Sequence, residues 1–170
     1  VIGKYIVGGD IRDSYARGNV CTSGDNVGGL VGALADGSII DSYARGDINS
    51  SGSAVGGLVG EASGDVKRVY ASGQVEGGNN VGGLVGKNDG QLSDAYWDKG
   101  ATNQSVAVGG GSSDATGFGA VSDDTRALEM QGRAPTRFMS ALDYTSPWKL
   151  TRTYAIFQRE SNPTASLPTC

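Results

Sequence analysis

Histidine is absent from this chain, and with it go Ser-His-Asp and Cys-His nucleophile systems and every metal site that needs an imidazole ligand. Proline is missing from the first 134 residues: all four prolines (Pro135, Pro147, Pro163, Pro168) come later. No run approaches the 18 or more apolar residues of a membrane-crossing helix, so no membrane-spanning segment is expected. Basic charge is scarce and scattered, 14 Lys+Arg against 18 Asp+Glu for a formal net charge of -4. Nucleic acid is therefore not an expected partner, because phosphate binding needs a concentrated basic face. The two cysteines, Cys21 and Cys170, are far apart and read as unrelated thiols, with a disulfide between them as the alternative. No charged leader with an apolar core opens the sequence. Val1 instead reads as the tail of an earlier repeat, so the chain is expected to be a piece of a longer parent protein.

What is plentiful is glycine, and it is unevenly spread. Of the 29 glycines, only Gly132 lies beyond residue 119, whereas half of the aromatic residues follow residue 117. A boundary near residue 120 follows, with a glycine-punctuated array before it and a compact segment, 120–170, after it. The array repeats itself at about 27 residues: 10–37, 38–64 and 65–90, then a degenerate unit at 91–119. Three units share Gly-Gly-Leu-Val-Gly, at Gly28 to Gly32, Gly56 to Gly60 and Gly82 to Gly86. A fixed period of this size means stacked supersecondary units, none of which buries its apolar face alone.

Within each unit the pattern is that of short strands. In Ser14 to Val20 the small and apolar residues Ser14, Ala16, Gly18 and Val20 have one parity, and Tyr15, Arg17 and Asn19 the other. The same parity recurs from Ser42 and from Val69. Leu30, Leu58 and Leu84, with Val27, Val55 and Val81, are the expected core ladders. Paired glycines at one position indicate a backbone that bends sharply or lies against another backbone. Asp36-Gly37 and Asp89-Gly90 are turn signals. The fold expected is all-β: a parallel β-helix, or β-solenoid, of about four coils with two or three strands per coil, closed by a small mixed C-terminal cap. In that cap Ser122 starts a short helix carrying Leu128 and Met130, and Phe138, Leu142, Tyr144, Trp148, Leu150, Tyr154, Ile156 and Phe157 supply bulk.

The unit Ser-Tyr-Ala-x-Gly followed some ten residues later by Val-Gly-Gly-Leu-Val-Gly, close in Ser14 to Gly32 and Ser42 to Gly60 and looser in Val69 to Gly86, resembles the GLUG motif. That resemblance implies a large secreted or cell-surface protein. Bacterial adhesins of the filamentous-haemagglutinin-like, two-partner-secretion type carry such repeats, as do some immunoglobulin A peptidases. The closing segment, from Trp97-Asp98 through Leu142-Asp143-Tyr144 to Trp148-Lys149-Leu150, is similar to one that often follows them. On this reading the chain is not an enzyme. It is an extracellular structural or adhesive segment whose partners are a host or matrix glycan or protein, or neighbouring copies in a filament. The alternative is a non-catalytic recognition or spacer segment of a large secreted peptidase.

Candidate surface residues follow from parity. Tyr15, Tyr43, Tyr70 and Tyr96 form an outward ladder with Arg17 and Arg45 beside it. With Trp97 and Trp148, it suits stacking on sugar, packing on a partner, or bracing the solenoid itself. A bulge would reverse the parity and turn the tyrosines inward. Asp13, Asp41 and Asp94 fall in one column that Arg68 interrupts, which reads as a solvated turn position. A calcium-binding row or an acid/base pair is the sharper alternative, and no cofactor is expected. Gly109-Gly110-Gly111 lacks the lysine and spacing of a phosphate loop and reads as a turn or linker.

Overall fold

The computed structural model describes residues 7–118, 139–142, 144, 146, 148–149 and 156–157. The expected helix from Ser122 and most of the proposed C-terminal cap, including Phe138, Leu150 and Tyr154, lie outside these residues.

Short strands follow one another at the period of the repeat and pair only with their counterparts one coil away. The longest form one sheet: β1 (Asp10–Arg12) and β2 (Tyr15–Ala16), both paired with β6 (Ser38–Ala44), then β10 (Asp65–Ala71), β14 (Leu92–Asp98) and β16 (Ala115–Phe118). Three further sheets complete each circuit. One holds β3 (Val20–Thr22), β7 (Ile48–Ser50) and β11 (Val75–Glu76), and the next holds β4 (Val27–Gly28), β8 (Ser53–Gly56) and β12 (Asn79–Gly82). The last holds β5 (Val31–Leu34), β9 (Val59–Ala62), β13 (Val85–Asn88) and β15 (Val108–Gly111). All of these pairings are parallel. The architecture is a β-solenoid of about four turns. A separate antiparallel pair, β17 (Trp148–Lys149) with β18 (Ile156–Phe157), belongs to the C-terminal segment.

The first three coils have four strand segments where two or three were expected, divided in the second coil at 45–47, 51–52, 57–58 and 63–64, and single left-handed residues also sit within or beside the strands. Asp13, Asp41, Arg68 and Asp94 share one column and are left-handed, with φ of 49°, 48°, 52° and 49°. A second left-handed column holds Asn26, Ala54 and Asn80, at φ 54°, 56° and 48°. A left-handed L-residue costs about 1–2 kcal/mol, and Asn and Asp tolerate it best. The first column also resets the side-chain alternation. Ile39, Ser42 and Ala44 are all fully buried although two positions separate Ile39 from Ser42, because the left-handed Asp41 absorbs one residue. Downstream of it the parity read from the sequence holds.

The Gly-Gly-Leu-Val-Gly pentapeptide is the corner between β8 and β9 and its equivalents. A Cβ on Gly56 would stand 2.1 Å from its own corner's Val59 carbonyl oxygen and 2.5 Å from the Gly86 nitrogen of the next coil. On Gly57 it would stand 2.2 Å from the Gly83 oxygen, and on Gly60 2.4 Å from the carbonyl carbon of left-handed Asn26. Backbone lies against backbone at all three positions. Leucine is the exception within the motif: Leu30, Leu58 and Leu84 are buried and stack in the main core with Val31, Val59, Val85, Ile39, Val66 and Leu92. Val27, Ile48, Val55 and Val75 form a second, smaller core.

The degenerate unit keeps strands in only two of the four sheets, β14 leading to β16 in the long-strand sheet and β15 in the last, and so shortens the path. Ala95 pairs with Ala115, and a one-turn helix, α1 (Lys99–Thr102), is inserted after β14. Asp98 caps it, accepting from the Ala101 amide at 2.9 Å, while the Thr102 hydroxyl donates to the Asp98 carbonyl at 2.7 Å. Gly109 stays in register, its would-be Cβ 2.2 Å from the Asn80 carbonyl carbon. That stretch is therefore a ladder strand, not a linker.

Candidate functional site

The long-strand sheet carries the residues that the sequence marked for a surface. Tyr15, Tyr43, Tyr70 and Tyr96 occupy one register position, followed by Thr116 in β16. They point away from the main core, on the side opposite Ala16, Ala44 and Ala71. The rings stack: Tyr15 to Tyr43 at 5.4 Å between centroids and 13° between planes, Tyr43 to Tyr70 at 4.9 Å and 3°. Offset aromatic stacking of this kind adds about 0.5–1.5 kcal/mol per pair beyond the area buried.

Outward does not mean exposed here. Tyr43 and Tyr70 are fully buried and Tyr96 nearly so, whereas Tyr15 keeps 45% of its surface open. The covering residues are Met139, Leu142 and Trp148 of the C-terminal segment, themselves buried, with Ala141 and Tyr144 at the margin. Trp148 lies tilted across two tyrosines, 5.6 Å and 41° from Tyr43, 5.8 Å and 44° from Tyr70. Its indole N–H points at the Asp41 carboxylate, 3.4 Å from Oδ1. The tyrosine ladder and Trp148 thus meet each other, and neither Tyr43, Tyr70 nor Trp148 presents a face to solvent. Burial also pushes the Tyr96 and Tyr144 phenols above their ordinary value.

Beside the ladder, the column of left-handed residues is tied together by charge. Arg68 grips Asp41 with two parallel hydrogen bonds, Nε to Oδ1 at 2.8 Å and a terminal nitrogen to Oδ2 at 2.6 Å. The Asp41 bond, with help from Asp94 and Asp13, raises the Arg68 pKa further. Asp94 also faces Lys67 at 3.9 Å. At the centre of the column read from the sequence as a solvated turn, the Arg68–Asp41 ion pair holds the carboxylate that meets Trp148, while Asp13 at its end is exposed. Among the described residues no group of three or more His, Cys, Asp or Glu is placed to hold a metal ion.

Arg17 and Arg45 sit half-buried at the corner after the long strand. Trp97 does not join the tyrosines. It takes the inward position of Ala44 and Ala71, packs in the main core, and donates its indole N–H to the Gln104 carbonyl at 3.1 Å. Lys99 lies over its ring at 5.5 Å. Parity counted from Tyr96 assigns Trp97 to the core side, so it does not belong with the surface aromatics. Met139 was not singled out by the sequence, and only the fold brings it to the tyrosines. Cys21 is disulfide-bonded, contrary to the reading of two unrelated thiols; Cys170 lies outside the described residues.

Fold and ladders together define a repeat β-solenoid, and two stretches of it, residues 23–49 and 51–76, match the GLUG motif. Over 104 residues the chain is 69% identical to halomucin of Haloquadratum walsbyi. The aligned stretch is 61% of this chain and only 1% of halomucin, so the chain spans about a hundredth of that relative's length. No solved structure matches the chain.

Proposed function

We propose that this chain is a non-catalytic structural segment of a large secreted or cell-surface protein, a stiff spacer built from GLUG coils. The observation behind this reading is how the side chains of successive coils are spent. Ladder positions pair with the same position one coil away, and the aromatic face that the sequence offered to a partner is occupied by the chain's own Trp148, Met139 and Leu142. The likeness to a very small part of halomucin, a name that denotes a mucin-like protein, supports one module in a long extracellular polymer. That relative comes from an archaeal halophile, so the proposal covers surface proteins at large and does not draw on bacterial two-partner secretion.

The test is twofold. Antibody against the chain is expected to label intact cells of the source organism, and the isolated chain is expected to show no specific binding in a glycan and matrix-protein screen. Saturable binding that survives substitution of Trp148 would move the reading to an adhesin that uses another face. A metal-ligand or nucleophile motif in the flanking sequence of the parent would place the segment in a secreted peptidase.

A further inference from the structure

The short excursion after β14 carries an Asn-x-Ser triplet outside any ladder strand. Residues 103–105 read Asn-Gln-Ser, the acceptor triplet for N-linked glycan in an exported protein. Its middle residue is pinned to the solenoid at three atoms. The Gln104 side-chain amide donates to the Val75 carbonyl at 2.8 Å, and its backbone N–H donates to the Thr102 hydroxyl at 3.3 Å. Its carbonyl accepts the Trp97 indole at 3.1 Å. With Gln104 held inward, Asn103 and Ser105 on either side are both exposed. Asn103 is also left-handed, φ 56° and ψ 29°, at the end of α1, so it projects from a tight turn with no ladder strand at its position.

One other triplet of this type occurs, Asn49-Ser50-Ser51, and its setting differs. Asn49 lies within β7 between Cys21 and Glu76 of the adjoining coils, and its amide donates to the Glu76 carboxylate at 3.3 Å. Cys21 is itself engaged in a disulfide. A transferase approaching Asn49 meets a continuous parallel sheet, and the amide must leave an existing partner.

We propose that Asn103 is an N-glycosylation site, modified in preference to Asn49, with a lipid-linked, phosphate-activated oligosaccharide as donor. In the transfer the Asn103 Nδ2 forms a bond to the anomeric carbon of the first sugar. The bond from that carbon to the phosphate oxygen breaks, the lipid phosphate leaves with the electron pair, and the proton lost from Nδ2 passes to a base of the transferase. Ser105 supplies the hydroxyl that the transferase reads. A glycan here stands on the outside of the corner where the repeat becomes degenerate and adds polar bulk without touching a ladder.

This inference rests on the extracellular reading, and one experiment separates the two. The full parent protein is recovered from the surface fraction of its source organism, digested with trypsin and mapped by mass spectrometry. Cleavage after Lys99 and Arg126 isolates Asn103 as the single asparagine of its peptide, and cleavage after Arg45 and Lys67 isolates Asn49. The expected result is a glycopeptide at Asn103, abolished by Asn103→Gln and Ser105→Ala, retained in Ser105→Thr, and unaffected by Asn49→Gln. Protein found at the surface with an unmodified Asn103, or with glycan on Asn49 alone, overturns the inference and leaves the extracellular reading standing. Protein confined to the cell interior overturns both.

Discussion

Substituting Gly73 by alanine tests the close stacking of coils, and Gly18 provides a control with nearly the same local sequence. Both follow Tyr-Ala-x, at Tyr70-Ala71-Ser72 and Tyr15-Ala16-Arg17, and both turn the corner after the long strand. A Cβ on Gly73 would stand 2.1 Å from the Gly46 carbonyl oxygen and 2.5 Å from its carbon, while on Gly18 it would meet nothing within 4 Å among the described residues. Carbon-to-oxygen contacts settle near 3.3–3.6 Å, so the corner must open by about 1 Å. Three hydrogen bonds cross that gap: Ile48 N to Gln74 O at 2.7 Å, Ser72 N to Ala44 O at 3.1 Å, and Gln74 N to Asp47 Oδ1 at 2.9 Å. At about 1 kcal/mol each, with about 1–2 kcal/mol for overpacking and less than about 1 kcal/mol returned by the stiffer unfolded chain, Gly73→Ala costs about 3–5 kcal/mol. Gly18→Ala is expected to be neutral or stabilising by up to about 1 kcal/mol. For a chain of this size the gap corresponds to a Tm difference of roughly 10 °C, read by circular dichroism on heating and by urea unfolding. Equal stabilities of the two variants, or a Gly73→Ala loss under about 1 kcal/mol, would rule out tight backbone stacking at this corner.

Trp148→Ala removes the ring that bridges Tyr43 and Tyr70 and is expected to cost about 3–5 kcal/mol. The near-ultraviolet tyrosine signal should fall and the solenoid's far-ultraviolet signal persist, and an unchanged near-ultraviolet spectrum would contradict the assigned packing. Arg68→Met leaves the largely buried Asp41 without its two charged donors and is expected to destabilise by about 1–3 kcal/mol. Repeating it in an Asp41→Asn background should recover most of that loss, and additive losses would argue against the pair. Burial raises the Tyr96 and Tyr144 pKa above 10.0, so the folded state holds these protons more tightly than the unfolded chain. The stability this gives is complete below pH 10 and falls as pH rises above it. Absorbance titration at a phenolate band is therefore expected to show a late step that coincides with unfolding. Lys87, raised to about 12 chiefly by Asp89 and then Glu61, adds a contribution in the same direction: present below pH 10.5, lost as pH passes about 12. A single phenolate step that finishes before any loss of structure would contradict the burial.

The repeat unit determined most of the fold by itself. Three copies of Gly-Gly-Leu-Val-Gly at a constant interval leave little choice but stacking, because a strand too short to bury its own apolar side chains finds an identical strand one period away. The alternation in Ser14 to Val20 and its copies likewise placed alanine inward and tyrosine outward, whereas Trp97, expected on the surface, took the inward position next to Tyr96. Left-handed columns were harder to read. Asp and Asn at turns announce them weakly, and Arg68 and Ala54 not at all, since the conformation is imposed there by neighbours in the stack. Four strand segments per coil, divided at short breaks such as 45–47 and 51–52, were not foreseen either. The fate of the outward face lay further still from the local sequence. Trp148 is over a hundred residues from Asp41 along the chain, and no periodicity links Met139 or Leu142 to a tyrosine. Whether that ladder faced solvent or supported the chain's own C-terminal segment was decided only when distant residues were folded together, for burial is a property of the whole surface and alternation a property of one strand.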